Sequence, residues 1–116
     1  MSSKPSADLL VSTFHTVLVT MVRGNAANLS LRQLVIFLTL YRAEGVHTVG
    51  SLAANLRLPT SIVMRALDRL AEMKLASRGH PADVSSIVVQ RTSTGERFLH
   101  ELTAIIASAA GGGDSR

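Results

Sequence analysis

A chain of 116 residues that is 47% hydrophobic, with a mean hydropathy of +0.29, has room for one modest core but carries many apolar side chains for its size. That surplus predicts apolar surface buried between subunits, and the absence of cysteine excludes disulfides and thiolate metal sites. A formal charge of +4 and a pI near 10.7 suit a polyanionic partner without specifying one. The opening MSSKPSADLL lacks the basic and apolar regions of a signal peptide. Residues 9–22 are too short and too polar to span a bilayer, because Ser12, Thr13, His15, Thr16 and Thr20 interrupt them. A cytoplasmic chain with no membrane partner is expected.

Residues 1–7 are small and polar and are expected to be flexible. Helix signals run over 8–23 and stop at Gly24 and Asn25. Leu10, Phe14, Val17, Leu18 and Met21 share one face of this helix. Leu9, Val11, Val19 and Val22 widen it beyond what a single core requires, which points to a partner subunit. Ser30 followed by Gln33 is a capping-box signature for an apolar helix over 31–43, closed by Gly45. An extended piece over 46–49 leads into residues 52–75, which read as two short helices joined by a tight turn, the second over 60–73. Residues 76–80, a turn-rich PADVSS and residues 87–91 then read as strand, loop and strand, a hairpin. Residues 92–94 cap a last helix over about 95–109 with the stripe Phe98, Leu99, Leu102, Ile105 and Ile106. The final GGGDSR reads as a flexible tail. The expected layout is a flexible 1–7, a single domain over 8–110 and a tail over 111–116.

On a helix of 3.6 residues per turn, Val63, Ala66, Leu67 and Leu70 form an inner stripe at spacings of three and four. The outer face then carries Ser61, Met64, Arg65, Asp68 and Glu72. Thr60 and Ser61 stand at the N-terminal end, where hydroxyls and unpaired backbone N–H groups bind phosphate. Arg65 is the candidate for a base-edge contact, since a guanidinium pairs bidentately with guanine, and Met64 is placed to touch a thymine methyl. Asp68 and Glu72 repel phosphate, so only the first two turns are expected to enter a groove. Arg69 is a candidate phosphate contact on the flank; for both Arg65 and Arg69 the alternative is pairing with Asp68 and Glu72 along the exposed helix. Ser51 and Arg57 lie near the helix pair and are read equally as backbone contacts or as solvated surface. Arg78, His80 and Arg91 form a basic set at the base of the hairpin.

The order of these pieces resembles the multiple-antibiotic-resistance regulator (MarR) family over residues 29–99. Leu31, Gln33, Val35 and Ile36 resemble the family's leading core helix. Thr48, Val49, Leu52, Ala53 and Leu56 resemble its first helix-turn-helix element. Ser61, Val63, Arg65, Leu67, Asp68, Arg69 and Leu70 resemble its recognition helix. Leu75, Ala76 and Arg78 are similar to the entry into its wing, and Thr92 with Gly95 to its strand-to-helix junction. The chain departs from the pattern at Ser85, where wings of the family usually carry an arginine, and at Lys74, where a glycine is common. The resemblance implies a mainly α fold class with a small β-hairpin wing, a winged helix-turn-helix dimerised through its N- and C-terminal helices. It also implies double-stranded DNA and a second copy of the chain as partners. It leaves room for a small-molecule effector, to which the composition adds nothing.

His15, His47, His80 and His100 lack metal-site spacing, no glycine-rich phosphate loop follows a strand, and no nucleophile–base pair stands out. No enzyme, metal site or cofactor is therefore expected. The leading reading is a homodimeric, sequence-specific DNA-binding transcriptional regulator, a repressor by default. The alternative is a winged-helix module for protein contact, an adaptor or anti-regulator. It is favoured by the acidic half of the 60–73 helix, by Ser85 and by the apolar surplus. A plasmid-type replication or partition factor is a third reading.

Overall fold

A computed structural model describes residues 6–24 and 28–111. Residues 1–5 of the expected flexible N-terminus, Asn25 of the first helix stop and residues 112–116 of the expected tail lie outside the described residues. The elements are α1 (Ala7–Arg23), α2 (Leu31–Arg42), β1 (His47–Thr48), α3 (Val49–Leu56), α4 (Thr60–Glu72), β2 (Ser77–Arg78), a 3-10 turn (Val84–Ser86), β3 (Val88–Gln90) and α5 (Ser93–Ala110). They fall into two compact units. One is drawn from Met1–Asn28 and His100–Arg116, and the other is Leu29–Leu99.

The Leu29–Leu99 unit starts at the expected capping box: Gln33 N–H donates to Ser30 Oγ at 3.1 Å, and Ser30 N–H donates to Gln33 Oε1 at 2.9 Å. Behind that cap α2 turns Ile36, Phe37, Leu40 and Tyr41 inward. α2 packs on α4, whose predicted Val63, Ala66, Leu67 and Leu70 stripe is buried, and α4 packs in turn on α3, where Val49, Leu52 and Ala53 are buried. Phe37 centres this core, with ring centroids 4.5 Å from Tyr41 and, edge-on, 5.2 Å from Phe98.

The wing is larger than the expected hairpin. The 46–49 piece supplies β1, which pairs antiparallel with β3, so the sheet has three strands in the order β1-β3-β2. His47 faces Val89, Thr48 faces Val88, and Arg78 faces Val89 from the other side. A lone two-stranded hairpin is marginal in water, and the third strand puts Val89 in the middle, where it is buried.

The end of α4 explains the departure at Lys74. Lys74 N–H donates to Ala71 O and Leu75 N–H to Leu70 O, both at 2.9 Å, a Schellman closure that requires a left-handed residue between them. Lys74 takes that conformation at φ 63°, where the Cβ of an L-residue crowds its own carbonyl. Lys74→Gly is therefore expected to raise stability by about 0.5–1 kcal/mol, the relief of strain exceeding the entropy that glycine costs. An unchanged or lower urea midpoint would contradict this account.

The other unit holds α1 and the part of α5 from His100 on. Ser6 caps α1, its Oγ accepting Leu9 N–H at 3.0 Å. The single face expected for this helix is split. Val17 is buried, whereas Leu10, Phe14 and Leu18 are exposed, and with Val11 and Val22 the last two form an outer stripe at spacings of three and four. Val11 is 64%, Phe14 60% and Val22 84% exposed. On α5 only Leu102 of the expected Leu102, Ile105 and Ile106 is fully inside this unit, and Ile106 is exposed. Too few apolar residues point inward here to close a core of their own.

Candidate nucleic-acid interface

α3 begins with a second capping box. Ser51 N–H donates to Thr48 Oγ1 at 3.0 Å, Thr48 N–H donates to Ser51 Oγ at 2.9 Å, and Ser51 Oγ–H donates to Thr48 O. The Ser51 hydroxyl, read from sequence as a backbone contact or solvated surface, is thus committed to the cap. α3 ends at Arg57, which sits in the left-handed region at φ 55° with its side chain exposed. Pro59 then opens α4. It offers no side-chain cap, and its carbonyl accepts from Ile62 and Val63. Among the described residues, nothing pairs with the N–H groups of Thr60 and Ser61, and no hydrogen bond holds their hydroxyls. This end of α4 is open to an anion.

The outward face of α4 carries the predicted side chains: Ser61, Arg65, Asp68 and Glu72 are exposed and Met64 is half-buried. Their charges are not equivalent. Arg69 Nη1 pairs with Glu72 Oε1 at 3.2 Å, the pairing alternative anticipated for it. Arg78 Nε donates from β2 to Asp68 Oδ1 at 3.0 Å. Arg65 alone among the charged side chains of α4 has no ion pair or hydrogen bond within the described residues. Asp68 and Glu72, which repel phosphate when bare, each carry a guanidinium.

The basic set expected at the base of the wing is not assembled. Arg78 turns to α4 and to the Gly79 carbonyl. Arg91 reaches back to the C-terminal end of α2, donating to Leu40 O at 2.9 Å and Ala43 O at 3.1 Å, with its Cζ 5.6 Å from the Tyr41 ring centre. Unpaired carbonyls at a helix end attract a cation, and this one is taken. His80 is exposed beyond β2. At the tip of the wing Ser85 lies against α3, where a Cβ on Gly50 would fall 2.9 Å from the Ser85 carbonyl oxygen. The position that takes arginine in the resembling family is therefore held close to the helix pair.

One neighbour of Arg65 was missed in the sequence. Arg32, on the first turn of α2, lines a small cleft of about 140 Å³ together with Arg65, Ser30, Gln33, Ile62 and Ala66. Its signal in the sequence was faint, an arginine just inside a capping box on a helix with no acidic residue. Among the described residues no three His, Asp or Glu side chains come together as a metal site, and no helix is long and apolar enough to cross a membrane.

No family model and no curated protein matches the chain by sequence. Solved structures do match it by shape. A MarR family protein from Bacillus stearothermophilus is 22% identical at a TM-score of 0.65, over 94% of this chain and 71% of its own. RV1404 from Mycobacterium tuberculosis is 19% identical at a TM-score of 0.65, over 93% and 79%. Wild-type MarR of E. coli in its apo form is 15% identical at a TM-score of 0.61, over 97% and 87%. Among the described residues, five helices and a small three-stranded antiparallel sheet make up the fold that these structures match. The fold of this chain is the winged helix of the MarR regulators.

Proposed function

We propose that the chain is a sequence-specific DNA-binding transcriptional regulator that acts as a homodimer, each copy setting the first two turns of α4 into a major groove. The observation that carries this reading is the state of α4. The N–H groups of Thr60 and Ser61 at its N-terminal end have no partner within the described residues, and its acidic side chains are paired. Arg65 is left as the single unpaired guanidinium on the helix. Thr60 and Ser61 take a backbone phosphate, Met64 packs on the base edges and Arg65 reads a base. Arg69 and Arg78 act at one remove by neutralising Glu72 and Asp68, and His80 stands at the wing as a phosphate contact. A protein bound across a promoter in this way blocks it most simply, so repression is the outcome we infer.

The pairing of Asp68 and Glu72 weakens one of the three grounds for the protein-contact reading, the acidic half of α4. Salt separates the two readings, because DNA binding weakens steeply with ionic strength through counterion release and an apolar protein interface does not. The test is selection of bound duplexes from a random library, followed by titration of the selected sequence. Arg65→Ala is expected to cost about 1–3 kcal/mol on that sequence and to relax preference at one base position. A variant that binds the selected duplex as the parent does would remove Arg65 from the readout.

A further inference from the structure

We infer that Arg32 is a second DNA contact, outside the helix-turn-helix, which clamps a backbone phosphate next to the base read by Arg65. This inference rests on the DNA-binding reading above and adds to it a residue of α2. Arg32 and Arg65 come from helices far apart in sequence and line the same small cleft. Both are exposed, and neither has an ion pair or hydrogen bond within the described residues. The other side chains of the cleft, Ser30, Gln33, Ile62 and Ala66, bring no carboxylate to it, and α2 has no acidic residue from Leu31 to Arg42. The cleft thus brings together two arginines and no carboxylate, a lining that suits an anion.

The cleft is also held in shape. The Ser30–Gln33 capping box fixes the start of α2, and Ala66 beside Arg65 is buried against the core. A fork of N–H donors on a fixed helix end is the geometry that recognises phosphate oxygens. Elsewhere Arg69 is occupied by Glu72, Arg78 by Asp68 and Arg91 by the end of α2, whereas Arg57, exposed at the end of α3, has no side-chain partner within the described residues. Arg32 belongs to the remaining set. Because it touches phosphate and not base edges, its contribution is independent of sequence.

The experiment titrates the full chain with a labelled mixed-sequence duplex of about 30 base pairs and with the selected duplex, each at several salt concentrations. For Arg32→Gln, affinity is expected to fall by a similar factor, about tenfold at low salt, on both duplexes. The slope of log K against log salt should fall by about one for each protomer bound. Arg65→Ala acts mainly on the selected duplex. Arg42→Gln, at the far end of α2, removes the same charge and is expected to leave the slope unchanged. An unchanged slope for Arg32→Gln, with the parent binding DNA normally, overturns this inference alone. An equal fall for Arg42→Gln also overturns it, since net charge then suffices. A parent that binds neither duplex overturns the DNA-binding reading and this inference with it.

Discussion

Gly95→Ala is expected to cost more than about 3 kcal/mol of folding stability, a large share of the roughly 5–15 kcal/mol that holds a domain of this size together. Gly95 lies on the first turn of α5, in a knot where four segments converge. The Tyr41 hydroxyl donates to Leu75 O at 2.8 Å and accepts Thr92 N–H at 2.9 Å. Thr92 Oγ1 donates to Lys74 O at 2.6 Å and accepts Gly95 N–H at 2.9 Å. A Cβ on Gly95 would overlap the Tyr41 hydroxyl and come within 2.5 Å of the Leu75 carbonyl oxygen. Either Tyr41 leaves, stranding the Thr92 N–H and losing its own bond to Leu75, or α5 shifts off the core that Phe98 anchors. Urea unfolding measures the cost. Gly79→Ala, where a Cβ meets nothing within 4 Å, is the control and is expected within about 0.5 kcal/mol of the parent. A Gly95→Ala midpoint close to that of Gly79→Ala would show that the knot yields cheaply.

This knot also shows what the sequence makes legible. Thr92 and Gly95 were recognised only as a junction pattern, and the reason for the glycine lies 54 positions away at Tyr41, which no local rule links to it. Elements whose signals are local came through within a residue or two: the Ser30–Gln33 box, the α4 stripe and the break after Arg23. The extended piece over 46–49 also came through as β1, but its pairing with β3 did not, because two extended residues, the second of them the capping threonine, give no sign of a partner 40 positions later. The candidate site divides along the same line. Which α4 residues point outward followed from helical spacing, since period alone decides it. Which cations are occupied did not, because Arg78 finds Asp68 and Arg91 finds the end of α2 only through the sheet. Arg32 escaped for the same reason, being brought beside Arg65 by packing of α2 on α4.

Aspartates placed together at Val11 and Phe14 are expected to turn the proposed homodimer into a monomer without unfolding Leu29–Leu99. Both side chains are more than half exposed and lie on the stripe that Leu18 and Val22 continue along α1. Within the same unit, α1 and the end of α5 leave between them a groove of about 750 Å³, edged by Leu9 and Ile105 and lined by Ser12, Thr16 and Ser108. A two-helix unit with an open groove and an uncovered hydrocarbon stripe is not self-sufficient in water, and a second copy brings a matching stripe by symmetry. Losing the burial of a valine and a phenylalanine, and setting charge in their place, weakens association by about 4 kcal/mol or more, roughly a thousandfold in Kd. Sedimentation of the parent should give twice the 12.3 kDa chain mass and the variant the single mass. DNA affinity should fall along with it, because two linked half-sites bind far more tightly than one. Arg32→Gln and Arg65→Ala leave the dimer intact, so loss of DNA binding through assembly and loss through contact are separable on the same instrument. A variant that stays dimeric would move the interface off α1, and a parent that is monomeric at about 10 μM would mean that something other than a second copy covers this stripe.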